Sequence, residues 1–383
     1  MNLTDSLVYI GVNDHITDLF EGQFPVPDGI SYNSHVLLDD KIAVIDTADD
    51  RFVDEWLCNL ESALQGRSPS YLLVEHMEPD HSAGIRRFAA EWPEAVIVAS
   101  KKAFDMMDNF YGESFDGRRR IVTDGDTLSL GRHELCFVAA PMVHWPEVMM
   151  IYDRTDRTLF SADGFGRFGA LDREVAWDDE AARYYFGIVG KFGAQVQAVL
   201  KKAAALPIDR ICPLHGPMLE GDAIQNALRL YDTWSSYRPE KRAVMIAYTS
   251  VYGHTKEVVE ELKAMLNGEV TVWDLSRCDM TAAIAEAFRS DAVVLATTTY
   301  NMDIFPPMRA FLRGLSARQY QSRSVSLIEN GSWAPMAAAV MRRMLEKCRD
   351  LTVDEDTVTV RGSLNTLSRE KLRALAARLN ERV

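Results

Sequence analysis

Apolar residues return along this chain in two rhythms. Short apolar runs bounded by turn residues mark strands, and longer stretches with apolar residues every three or four positions mark amphipathic helices. In the first part, residues 32–38 and 42–46 are strand-like and flank Asp39-Asp40-Lys41, which predicts a hairpin. Phe52, Trp56, Leu60 and Leu64 recur every four residues and predict a helix over 51–64. A strand over 71–74 follows, then a helix marked by Ile85, Phe88, Ala89 and Trp92, a strand over 95–99, and two strands around the turn at 153–157. A long helical pattern covers about 179–205 and ends at Pro207. This order predicts an α/β sandwich with helices outside and loops gathered at one sheet edge.

The character changes after Tyr231-Asp232-Thr233-Trp234-Ser235-Ser236-Tyr237. The polar run Arg238-Pro239-Glu240-Lys241-Arg242 reads as a linker, which predicts domains at 1–240 and 243–383. Beyond it the rhythm is regular. Strands over 243–248, 269–274, 292–296, 324–328 and 357–360 alternate with helices over 256–267, 281–288, 307–315, 336–347 and 368–379. Five alternations predict a doubly wound parallel sheet, with a ligand at the carboxyl ends of the strands near the point where strand order reverses.

With 383 residues, 47% apolar and 26% charged, the chain has the composition of a globular protein with sizeable cores. Its formal charge of −14 argues against a nucleic-acid partner. No apolar stretch approaches the ~18–20 residues of a membrane span, and Met1-Asn2-Leu3-Thr4-Asp5 lacks the regions of a signal peptide. Cys58, Cys136, Cys212, Cys278 and Cys348 are scattered without a CxxC pair, which fits a reducing cytoplasm and argues against a fused rubredoxin-type iron site.

The chemistry concentrates in Leu72-Leu73-Val74-Glu75-His76-Met77-Glu78-Pro79-Asp80-His81. A strand ends there and four metal-type side chains follow within six residues. Imidazole and carboxylate without thiolate suit iron, manganese or zinc. Pro79 favours a loop, in which all four can converge. Three later strand-like runs also stop at a candidate ligand: His144 after 136–143, Asp163 after 158–161, and His215 after 210–214. Of eight histidines, His76, His81, His144 and His215 fall at strand ends, whereas His15, His35, His133 and His254 do not.

In the second part three strand-end loops stand out. Thr249-Ser250-Val251-Tyr252-Gly253-His254-Thr255 leads into a helix, where hydroxyls and backbone N–H groups make an anion cradle. Thr297-Thr298-Thr299-Tyr300-Asn301 and Glu329-Asn330-Gly331-Ser332-Trp333 put hydrogen-bonding and aromatic groups where a flat ring system fits.

The order HxExDH, histidine, aspartate, histidine resembles the metallo-β-lactamase-like domain of flavodiiron proteins, also called A-type flavoproteins or rubredoxin:oxygen oxidoreductases. Zinc hydrolases of that superfamily carry histidine where this chain has Glu78, and a carboxylate there makes the site harder and favours iron. The resemblance implies that His76, Glu78 and His144 hold one iron, that Asp80, His81 and His215 hold the other, and that Asp163 bridges them. The three later loops are similar to the FMN loops of flavodoxins. His254 departs from that pattern, which has a smaller polar residue such as asparagine or serine.

Together these resemblances imply an N-terminal metallo-β-lactamase-like αββα sandwich followed by a flavodoxin-like doubly wound parallel sheet. The implied activity is reduction of O2 to water or NO to N2O at a diiron centre, with electrons delivered through FMN. Tyr184 or Tyr185, from a segment similar to the family's, would donate a hydrogen bond to bound substrate. A separate donor, a rubredoxin, and a head-to-tail homodimer or dimer of dimers are implied as partners. The alternative is a metal-dependent hydrolase of the same fold with a flavodoxin-like regulatory domain.

Overall fold

The structure is a computed structural model that describes residues 2–112 and 115–382. The chain divides into two compact units, one with the residues up to Tyr185 together with Ala194–Tyr231, the other with Phe186–Gly193 together with the residues from Asp232 onward.

The first unit holds two six-stranded sheets. One runs in the order Leu7–Tyr9, His35–Leu37, Ala43–Ile45, Tyr71–Leu73, Val96–Ser100, Arg119–Val122. Its first pairings are antiparallel, and those from Ala43–Ile45 onward are parallel. The other runs Thr127–Ser129, Glu134–Ala139, Met149–Asp153, Thr158–Phe160, Arg210–Cys212, Leu219–Glu220, with Thr158–Phe160 and Arg210–Cys212 parallel. Leu37, Ile45, Leu73 and Val98 of one sheet and Leu135, Phe137, Ile151 and Phe160 of the other form one buried core between them. Helices cover the outside. Val53–Leu64 buries Val53, Trp56, Leu60 and Leu64, the every-fourth-residue stripe read in the sequence. The Trp56 indole N–H also donates to the Ser34 hydroxyl at 2.9 Å, which in turn donates to the Asp46 carbonyl.

Two expectations are corrected here. The helical pattern over 179–205 is not one helix. Trp177–Tyr184 passes into a π-helical turn at Tyr185–Val189 and a 3-10 turn at Gly190–Phe192 before Gly193–Ala203 resumes. Gly187 and Gly190 fall within this interrupted stretch and Gly193 at its end, where low helix propensity weakens the ladder. Pro79, expected in a loop, is the first residue of the short helix Pro79–Ser82. Proline is tolerated there because the first-turn N–H has no partner in any case.

The second unit holds a six-stranded sheet, five strands of it parallel in the order Glu269–Asp274, Lys241–Tyr248, Ser290–Tyr300, Ser324–Asn330, Thr352–Val360, with the short strand Asp303–Ile304 antiparallel on Ser290–Tyr300. Strand order reverses between Lys241–Tyr248 and Ser290–Tyr300, and there the Thr249 and Thr297 hydroxyls share a 2.6 Å hydrogen bond. Ser290–Tyr300 runs past the apolar segment, because β-branched threonines continue the ladder as Thr297↔Glu329 and Thr298↔Asn330. Phe186 belongs to this unit, with its ring stacked on Phe288 at 4.6 Å. Among the described residues no helix is long and apolar enough to cross a membrane.

Trp56→Ala is expected to destabilise the first unit by about 3–5 kcal/mol, and Trp56→Phe, which removes the indole N–H, by about 1–2 kcal/mol. The check is chemical denaturation followed by a probe confined to that unit.

Candidate functional site

The first site is assembled from strand ends of both sheets. After Tyr71–Leu73 the chain passes through Glu75, whose N–H donates to Asp46 Oδ1 and whose carbonyl accepts from the Met149 N–H, so the loop is pinned to both sheets. His76 and Glu78 follow, and the helix Pro79–Ser82 carries Asp80 and His81. The His81 carbonyl accepts from both the N–H and the hydroxyl of Thr47. His144 lies between Glu134–Ala139 and Met149–Asp153, Asp163 follows Thr158–Phe160, and His215 follows Arg210–Cys212. A bond from the Leu214 N–H to the Ala162 carbonyl ties the last two loops together.

The seven side chains meet as two clusters. In the first, Glu78 Oε2 lies 3.3 Å from His76 Nε2 and 3.1 Å from His144 Nε2. Asp163 Oδ2 lies 3.2 and 3.0 Å from the same two nitrogens. In the second, Asp80 Oδ2 lies 3.2 Å from His81 Nε2 and 3.3 Å from His215 Nε2, which are 3.0 Å from each other. Asp163 Oδ1 is 3.7 Å from both of these nitrogens, so this carboxylate turns one oxygen to each cluster. Ligand atoms on one ion with bonds of about 2.0–2.2 Å lie roughly 3 Å apart. The donor set therefore fits two ions. Asp80 Oδ1 and Asp163 Oδ1 are buried without a hydrogen bond, an arrangement a cation at each cluster would satisfy.

The second site lies within the second unit. A cavity of about 610 Å³ is lined by the three loops singled out in the sequence, apart from Gly253 and the leading residues Thr249, Thr297 and Glu329. Met302, Ala334 and Gly362 join them and were not foreseen. Gly253 takes a positive φ of 95°, open to glycine, at the entry to the helix His254–Lys263. The Ser250 hydroxyl accepts the N–H groups of Gly253 and Lys256 at 3.1 and 3.3 Å, marking where backbone donors converge. Asn330 and Gly362 bind each other reciprocally through side-chain amide and backbone. Tyr252 and Trp333 line the cavity while remaining 89% and 86% exposed.

Comparison with known proteins agrees with this division. The model of the ODP family beta lactamase matches residues 30–216, and that of the flavodoxin domain matches residues 245–377. The anaerobic nitric oxide reductase flavorubredoxin of Aliivibrio fischeri is 27% identical over 349 residues, 87% of this chain and 70% of that protein. The flavodiiron protein of Giardia intestinalis is 25% identical, with a TM-score of 0.92 over 99% of this chain and 95% of that one. The rubredoxin oxygen:oxidoreductase of Desulfovibrio gigas, at 22% identity, shares the fold with a TM-score of 0.91 over 100% and 98% of the two chains.

The chain belongs to the flavodiiron protein family.

In this flavodiiron protein the imidazoles are aimed by groups behind them. Glu147 Oε1 lies 2.8 Å from His76 Nδ1 and accepts the Met77 N–H at 2.9 Å, and His215 Nδ1 donates to the Ser31 carbonyl at 2.7 Å. A fixed Nδ1 partner leaves Nε2 to face the centre. Glu147 escaped sequence reading. It lies three residues after His144, and nothing in one sequence separates it from a surface acid.

Electrostatics couples the cluster to protons. Burial opposes charge on His76 and His144, yet neighbouring carboxylates prevail, Asp163 first. They hold His76 well above the ordinary histidine value and His144 up to about 9. Burial likewise opposes charge on Glu78 and Asp163, but the same imidazoles hold both carboxyls below their ordinary values. For His81 burial prevails and lowers the pKa to about 4.

Of the two candidate tyrosines, only Tyr184 faces the two clusters. Its ring is 5.4 Å from that of His215 and its hydroxyl is beside Asp163. The Tyr185 ring packs on Tyr231 at 5.0 Å instead. Phe20 and Phe168, also unforeseen, wall this side, and Trp145 meets His76 edge-on at 5.2 Å.

Glu147→Gln is expected to weaken ferrous affinity by about 10- to 100-fold, measured by chelator competition. In the metal-free protein, imidazolium–carboxylate pairing holds His144 protonated up to about pH 9. Metal uptake therefore releases protons, and affinity falls as pH drops from about 9 to 6. The readouts are proton release in weakly buffered solution and the pH dependence of the chelator titration.

Proposed function

We propose that this flavodiiron protein is an oxidoreductase that reduces O2 to water or NO to N2O, with electrons passing through FMN to a diiron centre. One observation carries the reading: two histidine–carboxylate clusters share Asp163, which offers one oxygen to each. In this reading the diiron domain is 1–240 and the FMN domain 243–383. His76, Glu78 and His144 would hold one iron and Asp80, His81 and His215 the other, with Asp163 available to both. The cavity of the second unit would hold FMN, with the Ser250–Thr255 loop to receive its phosphate and Tyr300, Trp333 and their neighbours to receive its ring.

When bound, two ferrous ions and reduced FMN supply four electrons, enough for one O2 to become two waters, whereas two NO need two electrons to give N2O and water. The rest falls to the chain. Glu147 and the Ser31 carbonyl lock the imidazole rings in place. Burial and the neighbouring Asp163 and Glu78 carboxylates keep the Tyr184 phenol protonated, a hydrogen-bond donor beside the space between the clusters. Phe20, Phe168 and Trp145 keep that space dry. A separate rubredoxin supplies electrons, and a head-to-tail homodimer lets the FMN of one subunit serve the irons of the other.

Both substrates appear in the names of similar proteins, nitric oxide in the A. fischeri flavorubredoxin and oxygen in the D. gigas oxidoreductase. The deciding experiment begins by counting iron and FMN in the purified protein. The protein is then reduced anaerobically and mixed in parallel with O2 and NO. Sustained O2 consumption marks an oxidase, and sustained NO consumption with N2O release marks a nitric oxide reductase. Zinc in place of iron, no flavin and neither gas consumed would transfer the function to the hydrolase alternative. Asp163→Ala is expected to reduce turnover of either gas to background with FMN content unchanged, and Glu78→His to lower the iron:zinc ratio of the isolated protein.

A further inference from the structure

The first unit contains a cavity of about 280 Å³ that shares no residue with either site described above. Its walls are largely apolar, with Leu3, Leu171, Cys212, Pro213 and Met218 among them. His35 lines it too. This histidine points to the same face of its strand as the core residue Leu37 and is 4% exposed. Its ring meets those of Tyr9 and Phe160 edge-on at 5.7 and 5.5 Å, but among the described residues it makes no hydrogen bond or ion pair. Burial lowers its pKa to about 3, so the imidazole is neutral and keeps one N–H donor and one acceptor nitrogen. The polar groups around it are engaged with one another. The Tyr9 hydroxyl donates to Asn33 Oδ1 at 3.1 Å, and the Asn33 amide donates to the Pro213 and Gly216 carbonyls at 2.8 and 2.7 Å. Asn13 Oδ1 accepts the Leu171 N–H at 2.8 Å. The one carboxylate on the wall, Asp172, is exposed and lies 3.0 Å from His15 Nε2. Burial also keeps Cys212 a neutral thiol. The interior of the cavity is therefore uncharged, with one buried imidazole that the chain leaves unanswered.

We propose that this cavity is a binding site for a small neutral aromatic molecule with one hydrogen-bonding group, of the phenol or indole type, anchored by His35. A buried polar group without a partner is costly, and a ligand that supplies the partner recovers that cost. Size sets the scale: an apolar cavity of about 150 Å³ takes up benzene, so this larger one admits one ring or two fused rings. The Tyr9 ring and the Met218 thioether on the wall both favour an aromatic occupant over an aliphatic one. A carboxylate or an ammonium group would be buried there without an opposite charge. The occupant would touch Pro213 and Gly216, which flank His215, so the site lies behind the loop that carries a candidate iron ligand. The FMN reading plays no part in it.

The test titrates the full chain, as isolated, with phenol, toluene and benzoate by calorimetry. Phenol is expected to saturate one site with a Kd of about 1 mM or tighter, and benzoate to bind at least about tenfold more weakly. His35→Leu should lower the ratio of phenol to toluene affinity by about five- to tenfold, the net value of one buried hydrogen bond. His35→Gln, which keeps a donor and an acceptor, should hold that ratio near the native one. Comparing ratios cancels the different hydration of the two probes. Absence of saturable phenol binding to the native chain overturns the proposal and leaves the imidazole to solvent. Benzoate binding as tight as that of phenol, or an unchanged ratio in His35→Leu, overturns it as well. The phenol and benzoate arms use the native chain alone, so they decide even where a His35 variant fails to fold.

Discussion

Three carboxylates and four imidazoles share one small volume at the ends of the strands of the first unit, and most of them are sealed from water. Burying carboxylate charge is costly unless positive charge meets it. Without metal the chain meets it with protons on His76 and His144, whose pKa values rise because Glu78 and Asp163 adjoin them. Asp80 Oδ1 still has no hydrogen-bond partner, and Asp163 Oδ1 has only imidazole nitrogens 3.7 Å away. The fold is therefore built around a cationic centre. The backbone bonds from Thr47 to His81, from Leu214 to Ala162 and from Met149 to Glu75 hold ligand loops from two sheets in one arrangement. Their common effect is that no ligand can relax away from the others when the centre is empty, so the binding geometry is already prepared for the ions.

The second unit solves the opposite problem. It offers a phosphorylated ligand a cavity whose lining contains no lysine or arginine, in a chain of net charge −14. On the reading of this cavity as the FMN site, backbone dipoles at the N-terminus of His254–Lys263 and the hydroxyls of Ser250 and Thr255 would take the place of cationic side chains. Exposed Tyr252 and Trp333 leave apolar ring surface at the mouth. Two redox sites of different charge logic are thus carried on separate cores, one anionic and awaiting cations, one nearly neutral and awaiting an anion.

Much of this was legible in the sequence because both sites sit where a strand stops. Such positions announce themselves when an apolar run meets a polar residue with a fixed chemical task, as at His76, His144, Asp163 and His215. The groups behind them were not legible. Glu147 acts only through its hydrogen bond to His76 across 71 residues of chain, and Phe20 reaches His215 from a two-residue strand too short to show a period. Strand ends were misjudged where polarity was taken as the stop: Thr297–Tyr300 remains in the ladder because β-branched residues suit a pleated sheet whatever their polarity. The helix over 179–205 was misjudged for the converse reason. Apolar periodicity persists through Gly187, Gly190 and Gly193, while the hydrogen-bond ladder does not.

That interruption explains which tyrosine faces the histidine–carboxylate clusters. Neighbouring residues on a helix point about 100° apart, so Tyr184 and Tyr185 cannot both face one centre, and composition alone cannot choose between them. The choice is made where Trp177–Tyr184 ends and the π-helical turn begins. Tyr184, the last residue of the regular helix, is held between Phe168 and His215. Tyr185, the first of the widened turn, swings onto Tyr231, whose own hydroxyl accepts the Phe165 N–H two residues after Asp163. One tyrosine therefore presents its hydroxyl to the bridging carboxylate, while the other braces the loop that carries it. An adjacent pair in the sequence divides between the clusters and the core through a single change of helical pitch.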